Sequence, residues 1–220
     1  HKTRVLDVGQ CSHIFCVAER ASGERGIAMF APSAEGVTIG SRRMMDLHSA
    51  DSIQLDGLST EDVVWLAGDE VEVGIQRTID QATIVLAAEM MGSAREVLER
   101  TVAYLGEREQ FDVKLGTFQA LQHRCAHMYC ELELAESAVS AALTALDHAG
   151  PNVSLLASSA KALANDCFTL ISSEAVQLHG GMGVTEEMDI GLFLKRSRVC
   201  NQLLGGSSYH RDCYARLNGF

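Results

Sequence analysis

The stretch of this chain best suited to chemistry is Gln177–Gly206, QLHGGMGVTEEMDIGLFLKRSRVCNQLLGG. A long helical pattern stops there at Gly180-Gly181, and after a short polar turn another helix is expected from near Thr185. Glycines at a helix end take left-handed backbone geometry and let a ligand approach the main chain closely. The next helix would offer free N–H groups and a partly positive end, a seat for phosphate. Two helices meeting at glycines also make an ordinary turn, so the string needs support from elsewhere. The seven cysteines, at 11, 16, 125, 130, 167, 200 and 213, form no Cys-x-x-Cys pair and sit mostly among apolar residues. They read as buried reduced thiols of a cytoplasmic protein, with no metal site.

The chain must build a frame to position these groups. Its 220 residues can bury a real core in one large or two small domains. Hydrophobic residues make up 47%, with only two prolines, which argues for a globular chain. The net charge of −11 speaks against nucleic acid, since no basic stripe answers the phosphates. No apolar run approaches the length of a membrane span, and no leader is visible. The chain opens at His1 in what reads as the middle of a strand region, so a fragment of a longer protein is expected.

Residues 1–70 read as a partial antiparallel β-barrel or sandwich domain. Strands are expected at residues 12–18, 26–30, 37–39 and 52–55, separated by turn signals. Near residue 70 the apolar period changes from two to 3.6 residues. Ile75, Ile79, Ala82, Val85, Leu86, Met90, Ala94, Val97, Leu98, Val102 and Leu105 mark a first long helix with a broad apolar face. A loop at 110–116 leads to a second helix from near Thr117. Gly150-Pro151-Asn152 breaks it, with Asn152 or Ser154 as the cap of a third helix. A fourth runs from about Asp189 to Leu204, with a short tail helix after it. Long helices joined by short loops make an antiparallel four-helix bundle, here over residues 71–220. The fold class is therefore α+β, mostly α.

Two motifs together resemble the acyl-CoA dehydrogenase family. Residues 104–129, YLGEREQFDVKLGTFQALQHRCAHMY, are similar to its pattern of Tyr, Arg-x-x-Phe and a Gly-x-Phe-Gln turn. Residues 177–185, QLHGGMGVT, are similar to its Gln-x-x-Gly-Gly-x-Gly segment. The resemblance implies an N-terminal helical domain, a central β domain and a C-terminal bundle, of which this chain holds the later β part and the bundle. It implies FAD as cofactor, an acyl-CoA substrate and an electron-transfer flavoprotein as acceptor. The Arg-x-x-Phe motif maps to Arg108 and Phe111, with Arg108 on the FAD diphosphate, where a guanidinium forks onto phosphate oxygens. The second motif maps Gln177, Gly180 and Gly181 to the adenosine and diphosphate end across a subunit interface. Gln119 is a further candidate on the adenine side.

The departure from the family is at the base. Dehydrogenation between Cα and Cβ needs a carboxylate to remove the α-proton while the flavin takes hydride. The family's Glu lies in a Tyr-Glu-Gly-Thr string, where this chain has Leu203-Leu204-Gly205-Gly206. The base position is Leu204, or Gly205 if the alignment slips by one, and neither accepts a proton. An alternative family position falls on Ala82. Asp80, two residues earlier, is rotated by about 200° and reads as a surface aspartate. The string resembles base-lacking subunits of heteromeric actinobacterial acyl-CoA dehydrogenases that shorten steroid side chains. The reading is then a subunit of a heterotetramer whose base-bearing partner supplies the Glu. A homo-oligomeric flavoenzyme using His179, His210 or Asp80, and a structural paralogue without FAD, are the alternatives.

Overall fold

A computed structural model describes all 220 residues, His1 to Phe220. The chain divides into two compact units, His1–Thr78 and Ile79–Phe220. The first is built of β1 (Lys2–Leu6), β2 (Ile14–Glu19), β3 (Arg25–Phe30), β4 (Val37–Gly40), β5 (Ala50–Leu55) and β6 (Val64–Ala67). They form two antiparallel three-stranded sheets, ordered β1-β5-β4 and β2-β3-β6. The β2–β3 pair is regular, from Ile14 opposite Phe30 to Glu19 opposite Arg25. Alternation sends Ile14, Cys16, Phe30 and Ile53 inward, where they pack with Val8. The four expected strands are present. β1 and β6 are additional: both are edge strands, and neither KTRVL nor VWLA alternates cleanly.

Helix α1 (Asp69–Glu107) begins in the first unit and continues in the second. A two-residue ladder, β7 (Glu109–Gln110) with β8 (Val113–Lys114), occupies the expected loop. Then come α2 (Gln119–Asp147), α3 (Val153–His179), α4 (Ile190–Gln202) and α5 (Ser207–Leu217). The architecture is mostly helical, as expected. The α1 face is narrower than the sequence suggests. Ile84, Ala87, Met91, Ala94, Leu98 and Leu105 are buried, whereas Ile79, Ala82, Val85 and Val102 are exposed. A bundle helix buries a stripe, and these four fall outside it.

Helix α3 is the centre of the second unit. It packs against α2, α4 and α5, and buries residues along its whole length, from Ala157 to His179. Alanines 157, 160, 164 and 175 let the neighbours close in, and Phe168 and Ile171 fill the space between. Polar ties fix the outer faces. Arg95 of α1 reaches Glu133 and Glu136 of α2, Arg196 of α4 reaches Glu89 at 2.8 Å, and Arg124 reaches Glu174 at 2.5 Å.

Three local expectations are corrected. Neither Asn152 nor Ser154 caps α3: Asn152 makes no side-chain cap bond, and Ser154 Oγ donates to Asp80 at 2.5 Å. No helix starts at Thr185. The glycines themselves open a 3-10 segment, Gly180–Val184, and α4 begins only at Ile190. Of the thiols, Cys16, Cys167 and Cys200 are buried, but Cys11 and Cys130 are exposed; all seven are free. Since Phe168 is fully buried and Leu163 is not, truncation should separate them. Phe168→Ala should cost about 3–5 kcal/mol in urea unfolding, and Leu163→Ala markedly less, on the same helix.

Candidate functional site

The first cluster lies where α1 and α3 end. The ring of Tyr104, one turn from the end of α1, stacks on His179 with centroids 4.2 Å apart. Its hydroxyl also donates to the His179 carbonyl at 3.4 Å. His179 is buried and its Nδ1–H donates to the Ala175 carbonyl at 2.8 Å, which leaves Nε2 as a buried acceptor with no partner. The end of the helix bearing Arg108 is thus registered against the end of the helix bearing Gly180-Gly181.

Arg108 follows α1 directly, its N–H bonded to the Tyr104 carbonyl at 2.8 Å and its own carbonyl accepting from Leu115. Its side chain is exposed and makes no salt bridge. Phe111 and Asp112, with φ of 57° and 64°, form the tip of the β7–β8 hairpin, the geometry of a primed two-residue turn. Phe111 is 84% exposed and meets only the edge of Phe118, at 6.2 Å. A large ring held in solvent at positive φ is an unusual use of an aromatic residue. Gln119 opens α2 and Gln177 lies in the last turn of α3; both are exposed.

Gly180 has φ of 59° and ψ of −137°, a conformation costly for any other residue. Side chains placed at Gly180 or Gly181 would point into open space, so nothing of this chain itself forbids them there. Gly183 is different: a Cβ would stand 2.6 Å from the Val176 carbonyl oxygen. Open glycine main chain and an exposed guanidinium are groups suited to the diphosphate of a dinucleotide.

The second cluster surrounds the turn between α4 and α5. Leu204 has φ of 57° and is 40% exposed; Gly205 has φ of 108°. A Cβ at Gly205 would lie 2.4 Å from Cδ1 of Tyr209 and 2.9 Å from Nε2 of His210. A side chain at Gly205 would therefore require Tyr209 or His210 to move, and Leu204 carries an aliphatic one. Behind it, Lys161 is completely buried. Its Nζ donates to Asn165 Oδ1 at 2.7 Å and to the carbonyls of Cys200 at 2.9 Å and Gly205 at 3.2 Å. Asn165 Nδ2 also donates to the Gly205 carbonyl, at 3.2 Å. His210 Nε2–H donates to the Leu204 carbonyl at 2.9 Å. Burial pushes the Lys161 amine down to about 8, so it is still an ammonium at neutral pH. Burial also lowers His210, assisted by the Lys161 charge and opposed by the bond to Leu204.

Asp80 is not a surface residue: it is 8% exposed and accepts the Ser154 hydroxyl, a tie between α1 and α3. Lys161 and Asn165 were missed in the sequence. The available signal was a lone lysine on the apolar stripe of α3, between Ala157 and Ala164.

The family model for the acyl-CoA dehydrogenase C-terminal domain matches residues 74–217, and the chain belongs to the acyl-CoA dehydrogenase family. It is 41% identical to the acyl-CoA dehydrogenase FadE34 of Mycobacterium tuberculosis over 138 residues, which is 62% of this chain and 19% of that protein. It is 40% identical over 130 residues to the acyl-CoA dehydrogenase IpdE2 of Mycolicibacterium smegmatis, covering 59% of this chain and 40% of the relative. Among solved structures, the Tcur3481-Tcur3483 steroid ACAD matches with a TM-score of 0.85 at 27% identity, over 97% of this chain and 56% of that one. The ChsE4-ChsE5 complex from Mycobacterium tuberculosis matches in fold, with a TM-score of 0.87 at 22% identity, over 100% of this chain and 59% of that one. The chain thus spans well under two thirds of the length of each of these proteins. No helix is long and apolar enough to cross a membrane.

Two outcomes follow for the turn. Gly205→Ala should lose about 1–3 kcal/mol in urea unfolding, because the methyl group meets two side chains. His210 is held neutral by the fold, so its contribution is complete above the free value of 6.5. It is lost as pH falls through the lower folded value. An acid-side slope in the stability profile should therefore weaken in His210→Gln, whose amide can still donate to the Leu204 carbonyl.

Proposed function

We propose that this chain is a subunit of an FAD-dependent acyl-CoA dehydrogenase: it completes a flavin site at a subunit interface and leaves proton abstraction to a base-bearing partner. The observation that carries this reading is the Leu203–Gly206 turn, which has a glycine crowded by Tyr209 and His210 at 205, an aliphatic residue at 204 and no carboxylate. The other titratable candidates are tied to their surroundings, although one ring nitrogen of each histidine has no partner. Asp80 accepts from Ser154, His179 donates to Ala175, and His210 donates to Leu204. All three are buried, which weighs against a homo-oligomeric enzyme that uses one of them as base.

When bound, FAD supplies the hydride acceptor for α,β-dehydrogenation of the thioester. Toward its diphosphate, Arg108 offers an exposed guanidinium, and Gly180 and Gly181 offer main chain without side chains in the way. Gln177 and Gln119 suit the adenosine end, and Phe111 offers a ring to pack against it. Likeness to the Tcur3481-Tcur3483 steroid ACAD supports a steroid side chain as the acyl group. That likeness and the fold shared with the ChsE4-ChsE5 complex support an unlike partner chain in a heterotetramer. An electron-transfer flavoprotein is the acceptor proposed on family grounds.

The test is flavin retention by the assembled complex. Arg108→Ala removes a charge-assisted contact, so FAD affinity should fall about tenfold to a hundredfold. The melting midpoint should hardly move, since the side chain is exposed. Unchanged flavin absorbance after gel filtration would sink the diphosphate assignment. In the same complex Leu204→Ala should leave turnover within a fewfold, whereas Glu→Gln at the partner's base should cost at least about a hundredfold. If Leu204→Ala were equally damaging, this chain would be shaping a reacting centre of its own.

A further inference from the structure

The Leu203–Gly206 turn is held by donors that nothing in the proposed chemistry uses. An ammonium has three N–H donors, and Lys161 places each on an acceptor: Asn165 Oδ1, the Cys200 carbonyl and the Gly205 carbonyl. The Cys200 carbonyl lies in the last turn of α4, where carbonyls have no partner within the helix. A cation there also meets the negative end of the helix dipole. The Gly205 carbonyl takes a second bond from Asn165, and the Leu204 carbonyl takes one from His210. Two consecutive carbonyls of the turn are therefore fixed by three buried side chains from α3 and α5. On the outside, Asp166 of α3 accepts from Ser207 at 2.6 Å and pairs with Arg211, which holds the start of α5.

We propose that Lys161 is the positioning residue of this turn: with Asn165 and His210 it pins the turn to the bundle and so fixes the wall this chain brings to the acyl side of the flavin site. The wall rests on the proposed function; the anchor itself does not.

The ammonium form is required. A neutral amine keeps two N–H donors, so one of the three acceptors is released. The groups facing Lys161 are Asn165 from α3, the Cys200 thiol from α4 and His210 from α5; it makes no salt bridge. With the amine lowered to about 8 by burial, the anchor loosens on the alkaline side. Global stability runs the opposite way. The unfolded chain holds the proton more tightly between about 8 and 10.5, so the Lys161 contribution to folding rises with pH across that window. Local loosening with global stabilisation is a signature that a merely space-filling lysine would not give.

The experiment is amide hydrogen exchange on the intact chain in its native assembly, comparing wild type with Lys161→Met and Asn165→Leu. In Lys161→Met, exchange over 203–210 should quicken about tenfold at neutral pH while α1 and α2 stay unchanged. The urea midpoint should hold or rise, since Met fills the volume and removes a buried ion. In wild type, raising the pH from about 7 to about 9.5 should speed this segment beyond intrinsic base catalysis, and Lys161→Met should lack that extra acceleration. Equal exchange of the turn in both proteins at neutral pH would overturn the proposal, as would an alkaline acceleration that persists in Lys161→Met. If Lys161→Met does not fold, Asn165→Leu and the wild-type pH series decide: no loosening in either rejects it. Flavin absorbance read on the same samples separates the two ideas. A chain that never holds FAD but loosens as described keeps the anchor and loses the flavin reading.

Discussion

The burial of α3 on nearly every side is the constraint on which the second unit depends. A helix enclosed by α2, α4 and α5 must present small residues where neighbours approach, and its alanines do so. It must also be exact in register, because it sets two turns. Its C-terminal end supplies the glycine turn, and its middle supplies the amine that holds the α4–α5 turn. A shift of α3 by one residue would rotate Lys161 by about 100° out of reach of both carbonyls. Neither cluster can therefore be adjusted without the other.

A buried ammonium is an expensive way to hold a turn. Removing it from water costs several kcal/mol, and three well-placed acceptors return only part of that. An apolar side chain would pack as well, but it could not discriminate between turn conformations. The surface pairs, such as Arg216 with Asp212, contribute little by comparison, since both partners stay solvated. What Lys161 gives in return is specificity. The turn contains Leu204 at positive φ, a conformation the backbone does not choose unaided, and the fixed carbonyls select it.

The helices were legible because their apolar period runs for many turns and because Gly150-Pro151 and Gly180-Gly181 interrupt it. Strands β2 to β5 were legible from alternation and turn signals, whereas β1 and β6 were not, since neither KTRVL nor VWLA alternates polar and apolar residues cleanly. The clusters were legible as motifs but not as environments. Asp80 looked like a surface residue because pattern alone does not say which neighbour, here Ser154, will cover it. Lys161 was passed over because charge on a helix usually means a solvated face. Its value depends on carbonyls about forty residues further on, which no local pattern connects.

Under the proposed function, the two clusters are too far apart to serve one flavin. Nineteen residues of α3 separate Lys161 from Gly180, or about 28 Å along the axis at 1.5 Å per residue. The α4–α5 turn sits at the level of Lys161, and the open glycine main chain sits at the far end. The reach from a flavin ring to its own diphosphate is much shorter than that. Under the proposed function, a chain whose α3 end holds one cofactor's diphosphate must then bring its α4–α5 turn to a different cofactor. Each flavin would draw its diphosphate contacts and its acyl-side wall from two chains. This gives a physical reason for one subunit to lose its base while the assembly keeps its chemistry. A base lost from one turn disables only the flavin that faces that turn, and the same chain still holds the diphosphate of the other. Under that proposal, Arg108 and the glycines would keep their contacts with one flavin whatever residue the Leu203–Gly206 turn presents to the other.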